Sequence, residues 1–156
     1  MNIKKFRISI LIVWTLIFLL MCFIFGNSLK TVDESSAESS GIMAFIKPII
    51  DPMNRIDDEV FHHYVRKAAH MTEFAVLGFL LATASDLFRR MYKRKFISFS
   101  FLFCILTAVT DEFLQSFSDR SAEVKDVLID FSGSILGIAF ASLIILILIR
   151  KRRIPE

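Results

Sequence analysis

The chain has 156 residues, 54% of them hydrophobic and 17 of them Phe, with a formal net charge of +3. A soluble domain of this size cannot hide that much apolar surface, because a large share of any small fold faces water. The charges stand in blocks with long uncharged stretches between them, which excludes a disordered chain, a coiled coil and a soluble enzyme and predicts an integral membrane protein.

The first element in chain order is an uncharged segment over 8–25. Crossing a hydrocarbon core of roughly 30 Å takes about 20 helical residues, so it is long enough to span. Its apolar run exceeds the ~7–15 residues of a cleaved leader, and no small-x-small site follows, so a retained span is expected. A long connection, 27–67, comes next. Its first half is rich in serine (Ser28, Ser35, Ser36, Ser39, Ser40, then Gly41) and reads as turn and cap chemistry. Ile42, Phe45, Ile46, Ile49 and Ile50 then recur at helical spacing until Pro48 and Pro52 interrupt. That predicts a short amphipathic helix lying on the outer leaflet or folded back over the bundle. Asp57, Asp58 and Glu59 suit the positive end of a helix that begins there.

Three more spans follow: 68–88, with His70, Glu73 and Asp86 towards its ends, 96–117, uncharged until Asp111, and the uncharged 131–149. The expected fold is all-α, an integral membrane four-helix bundle in one domain covering 1–156. Twelve of the 19 basic residues flank the spans on one side, at Lys4 to Arg7, Arg89 to Lys95 and Arg150 to Arg153. Fourteen of the 16 acids fall on the other side. Basic loops stay inside, so both termini and the 89–95 loop are predicted to be cytoplasmic. The same clusters abut headgroups, which explains the positive charge without nucleic acid. Cys22 and Cys104 lie inside apolar spans, without metal or redox spacing, and read as packing residues.

An ionisable group within a span is costly and marks a candidate site. At about 1.5 Å per residue from the cytoplasmic helix ends, Glu73 and Asp111 lie about 22 Å up and Asp130 about 28 Å up. All three therefore sit in the outer quarter of the bilayer. His70 and Glu73 are three apart, with Arg66 and Lys67 one turn earlier, and Gln115 lies four from Asp111 and three from Glu112. On the last span Asp126, Asp130, Gly133 and Gly137 form one stripe, and the two glycines make a small-xxx-small contact that must face protein. Arg120, in the loop between the last two spans, reaches the same region. One polar pocket open to the outer leaflet is expected. His62 and His63 are expected in the solvated interface, and Glu123 and Lys125 as a solvated loop pair.

These blocks resemble the VanZ-like family over nearly the whole chain. The resemblance rests on Arg-Lys-x-x-His-x-x-Glu-Phe-x-x-Leu-Gly at Arg66 to Gly78 and Asp-Glu-x-x-Gln-x-Phe at Asp111 to Phe117. Arg120, Asp126, the Gly133/Gly137 pair and the serine-rich stretch add to it. Two positions depart from that family's pattern: Ser118-Asp119 stands where Pro-Gly is usual, and Asp130 where Asn is usual. The resemblance implies a bacterial cytoplasmic-membrane protein of the cell envelope, multi-pass, with its pocket facing outside. It also implies a link to low-level resistance against lipoglycopeptide antibiotics such as teicoplanin.

Several functions fit these residues. In one, Lys67, His70, Glu73, Asp111, Glu112, Gln115, Arg120, Asp126 and Asp130 bind a membrane lipid, a lipid-linked cell-wall precursor or a lipoglycopeptide without chemistry. In another, the chain is an enzyme on a lipid-linked phosphate. His70, Glu73, Asp111 or Glu112 would then supply acid–base chemistry, a divalent cation would sit among the carboxylates, and Arg120 or Lys67 would hold phosphate. A proton-coupled channel is disfavoured, because little beyond Ser98 and Ser100 is polar in the inner half of the last two spans. A scaffold reading remains, in which Glu73–Lys67 and Asp126–Arg120 are ion pairs that fix helix register.

Overall fold

The computed structural model describes residues 3–94, 96–118 and 122–151, and they form five α-helices with no strand among them. Their bounds are α1 Ile3–Ser28, α2 Val32–Ile50, α3 Asp58–Tyr92, α4 Ile97–Gln115 and α5 Val124–Lys151. Four of them, α1, α3, α4 and α5, are long and apolar enough to cross a membrane. Each holds one of the expected spans, but the boundaries move. Helix α3 runs for 35 residues, about 52 Å at helical rise, so its first turns project beyond any hydrocarbon core. Helix α4 stops at Gln115, and Phe117 lies in the turn that follows.

Caps explain where the helices start and stop. The Asp57 carboxylate accepts from the Glu59 N–H at 2.9 Å and starts α3. At the other end Arg89 and Arg90 both reach Asp86, and Lys93 closes the helix in the left-handed region at φ 58°. Hydroxyls on the lipid-facing sides of the spans are satisfied within their own helices. Thr15 donates to the Leu11 carbonyl and Ser132 to the Leu128 carbonyl, each one turn back.

Helix α2 corrects the reading of the serine-rich stretch. Ser35, Ser36, Ser39 and Ser40 are helical, and the helix begins ten residues before Ile42. Thr31 and Glu34 cap each other's backbone amides, which satisfies donors that would otherwise oppose a helix there. Ser39 and Ser40 then donate to carbonyls one turn back instead of making turns. Pro48 sits inside the helix rather than ending it, and the chain leaves the helix at Asp51. Asp51 accepts from the Arg55 and Ile56 amides at 2.9 and 2.7 Å. Those two bonds fold the chain back into α3 and hold the Asp51 carboxyl below its ordinary value of 3.8. Lys47, on α2, is buried against Asp58 of α3 and sits 5.8 Å from the centre of the Phe61 ring.

Bilayer solvent inverts the usual arrangement of side chains. Phe99, Leu102, Leu106, Val109 and Phe113 of α4, and Leu136, Phe140, Leu143 and Ile147 of α5, face outward at helical spacing. Small and polar residues face inward. The core joins Ile17 and Ile24 of α1 to Phe74, Leu77 and Leu81 of α3, Cys104 and Ala108 of α4, and Ile138 and Ala141 of α5. Without a hydrophobic drive between helices in lipid, close backbone approach must supply the attraction. Helices α3 and α5 show it. A Cβ placed on Gly133 would overlap the Met71 carbonyl oxygen, one on Gly137 the Ala75 carbonyl oxygen, and one on Gly78 the Ser134 carbonyl oxygen. The two helices therefore run parallel, while α4 runs against both. Ser100 near the start of α4 donates to the Leu81 carbonyl at 3.3 Å.

Candidate functional site

The α3–α5 contact dictates what the polar residues face. Because Gly133 and Gly137 must point at α3, Asp130 and Asp126, one and two turns earlier, point there too. Helix α3 meets them with Arg66, Lys67 and His70, and antiparallel α4 brings Glu112 and Gln115 at its C-terminal end. Together they line a cavity of about 330 Å³ that also includes His63 and Glu123. It lies at one end of the bundle, where the polar ends of α3, α4 and α5 converge.

Lys67 and Asp126 form an ion pair across the α3–α5 contact. The scaffold pairing of Lys67 with Glu73 is not the one the structure makes. Asp111 is fully buried behind the cavity. Its carboxylate accepts from the Ser28 hydroxyl and from Gln115 Nε2 at 2.9 Å, and His70 Nδ1 lies 3.7 Å from its Oδ2. Glu112 accepts from the Glu123 amide at 2.8 Å through Oε2, while its Oε1 is buried with no hydrogen-bond partner among the described residues. One ligand atom each from His70, Asp111 and Asp130 can be gathered within 4.8 Å of one another.

Glu73 stands apart. Its side chain meets the end of α1 and lies towards α2 instead of entering the cavity that His70 lines. Its Oε1 accepts from Asn27 Nδ2 at 3.2 Å, and Oε2 is buried with no partner among the described residues. Glu73 lines a second cavity, about 640 Å³ and mostly apolar, between α2 and α3. The structure therefore brings Lys67, His70, Glu112, Gln115, Asp126 and Asp130 to one cavity and buries Asp111 behind it. Glu73 is left on a neighbouring face. Arg120 lies outside the described residues.

Five contributors were not legible as such. Asn27 and Ser28 end α1, and they tie Glu73 and Asp111 to the first span through two adjacent side chains. Ser118 donates to the Ser28 carbonyl at 3.2 Å and closes this junction. Nothing in a serine-rich run singles out the serine that reaches 83 positions along the chain. His63 and Glu123 are exposed, as expected of solvated residues, and they also line the cavity. A signal for His63 existed, because it precedes Lys67 by one turn on the same face of α3.

The geometry offers cations, hydrogen-bond donors and carboxylates around one cavity, a set able to hold a polar headgroup or position a proton donor and acceptor. No curated protein and no solved structure matches the chain. The model of the VanZ/LLP1 family matches residues 13–147. That match takes in the cavity residues of α3, α4 and α5 and the α1 residues behind them, so this chain is a membrane protein belonging to the VanZ/LLP1 family.

Proposed function

We propose that this protein binds the phosphate-bearing headgroup of an amphiphile in the outer leaflet of the bacterial cytoplasmic membrane. The ligand would be a membrane lipid, a lipid-linked cell-wall precursor or a lipoglycopeptide, which would connect the protein to glycopeptide resistance. The observation that carries this reading is the wall composition of the cavity: Arg66 and Lys67 from α3 face Glu112, Asp126 and Asp130 from α4 and α5. Arg66 is suited to a phosphate and Lys67 can exchange Asp126 for one. The carboxylates suit sugar hydroxyls or amines on the same headgroup. About 330 Å³ is a headgroup's volume rather than a lipid's, so the hydrocarbon would stay in the bilayer beside the outward-facing apolar stripes.

Binding is testable in nanodiscs of phosphatidylcholine carrying a small fraction of a prenyl or diacyl monophosphate. Native mass spectrometry should find the monophosphate retained on the protein, and Arg66→Gln should reduce retention about tenfold, the loss of one charge-assisted contact. Equal retention of monophosphate and phosphatidylcholine by both proteins would count against the reading.

The outward position of the cavity follows from placing the basic loops inside. Single cysteines introduced as Ser36→Cys and Tyr92→Cys would test it with an impermeant thiol reagent on intact cells. Labelling at 36 alone is expected, and labelling at 92 alone would invert the protein and end the outer-leaflet reading.

A second reading, an enzyme on the same headgroup, is favoured by His70 Nδ1 lying 3.7 Å from Asp111 Oδ2 beside the cavity. Such a pair can move a proton, with Asp111 orienting the ring. Release of inorganic phosphate from the bound monophosphate by the native protein but not by His70→Gln would favour the enzyme over simple binding.

A further inference from the structure

We propose that His70, Asp111 and Asp130 form a binding site for one divalent transition-metal cation of the Zn²⁺ or Mn²⁺ class, set against the floor of the polar cavity. Three spans supply one ligand each: α3 the imidazole, α4 and α5 the carboxylates. A cation about 2.0–2.2 Å from each donor needs donor separations of about 3–4.4 Å. The ligand atoms already lie within 4.8 Å of one another, so small rotamer adjustments close the site without moving a helix.

The donor set selects the metal class. Calcium and magnesium favour all-oxygen shells, and copper(I) favours sulfur. One imidazole with two carboxylates suits zinc or manganese. Three protein ligands also leave coordination positions open, as at sites that act on a substrate rather than hold a fold together. His70 and Asp130 line the cavity, so the open positions face it.

The surroundings fit a bound cation. Asp111 is oriented by the Ser28 hydroxyl and by Gln115 Nε2, the kind of outer support that fixes a ligating carboxylate. Asp111, Glu112 and Asp126 all stand near enough to Asp130 to act on its charge. Lys67 opposes them, but it is paired with Asp126. A dication would offset the remaining excess of negative charge, which is expensive in a low-dielectric interior.

An independent observation points to the same place. Glu112, 4% exposed and on the cavity wall, has Oε1 buried without a hydrogen-bond partner among the described residues. Buried anionic oxygens are almost always satisfied. A water bound to the cation would be a strong donor at that wall. The site stands whether or not an amphiphile is the ligand. Where both hold, the open positions are where a phosphate oxygen would bind.

The test uses Mn²⁺ alone, without lipid ligand, so its failure is separable from failure of the amphiphile reading. Full-length protein is stripped with a chelator in detergent and titrated with Mn²⁺, with free ion followed by electron paramagnetic resonance. One saturable equivalent is expected, displaced by Zn²⁺, which binds such donors more tightly. Pulsed resonance should show a nitrogen coupling that changes isotope when the native protein is labelled with ¹⁵N-histidine, a readout that requires no variant. His70→Gln should abolish the coupling and Asp130→Asn should weaken binding at least about tenfold. Glu59→Gln, exposed and outside the cavity, should leave both signals in place. Absence of a saturable equivalent, or bound Mn²⁺ without nitrogen coupling, would overturn the site.

Discussion

Gly137→Ala is expected to separate α3 from α5 and to cost about 3 kcal/mol or more, the upper range for overpacking. The added methyl group would overlap the Ala75 carbonyl oxygen and press on the Phe79 amide nitrogen. Both are backbone atoms of a helix, so neither can rotate away as a side chain would. The helices must move apart, and close approach is what holds them in lipid. A detergent melting temperature lower by about 6–12 °C should report it, together with a fall in membrane abundance. Gly26→Ala and Gly41→Ala provide the contrast. Nothing lies within 4 Å of a Cβ at either position, and alanine favours a helix over glycine by about 0.5–1 kcal/mol. Those two variants should melt at or slightly above the native temperature. If Gly137→Ala did the same, the α3–α5 contact would not be what aims Asp126 and Asp130.

The second large effect is an asymmetry within one ion pair. Lys67→Ala should cost about 2–4 kcal/mol, whereas Asp126→Asn should cost about 1 kcal/mol or less. Lys67 acts on Glu112 and Asp130 as well as on its partner Asp126. Removing Asp126 therefore leaves the lysine among other carboxylates. Removing Lys67 leaves those carboxylates facing one another with their shared counter-charge gone. Abundance and thermal stability of the two single variants in detergent decide the matter, and equal losses would mean an isolated pair rather than a shared cation.

Much of this architecture was legible in the residues. Hydrophobic runs predicted four spans because the bilayer demands about 20 apolar residues per crossing. The stripe of Asp126, Asp130, Gly133 and Gly137 predicted which face of α5 meets protein, since a glycine pair in lipid serves little purpose unless a helix packs on it. What failed was local chemistry that composition hides. Serine is common in turns, but Thr31 and Glu34 close a capping box and carry the serines into a helix. Glu73 was grouped with His70 on helical spacing alone. The position of α1, which no spacing rule supplies, turns Glu73 towards Asn27 and a different cavity. Ser28 contacts Asp111 across a long stretch of sequence, and such pairings exist only once the helices are packed.

The central claim is that the cavity holds a ligand rather than merely balancing charge, and one double variant tests it most directly. Lys67→Asp combined with Asp126→Lys keeps an ion pair between α3 and α5 but moves the cation to the opposite wall. Retention of a prenyl or diacyl monophosphate in nanodiscs, measured by native mass spectrometry beside thermal stability, separates the two roles. A binding cavity predicts recovered stability relative to Lys67→Ala, with monophosphate retention still reduced about tenfold or more. Native stability together with native retention in the swapped protein would contradict the claim and leave the cluster as scaffold.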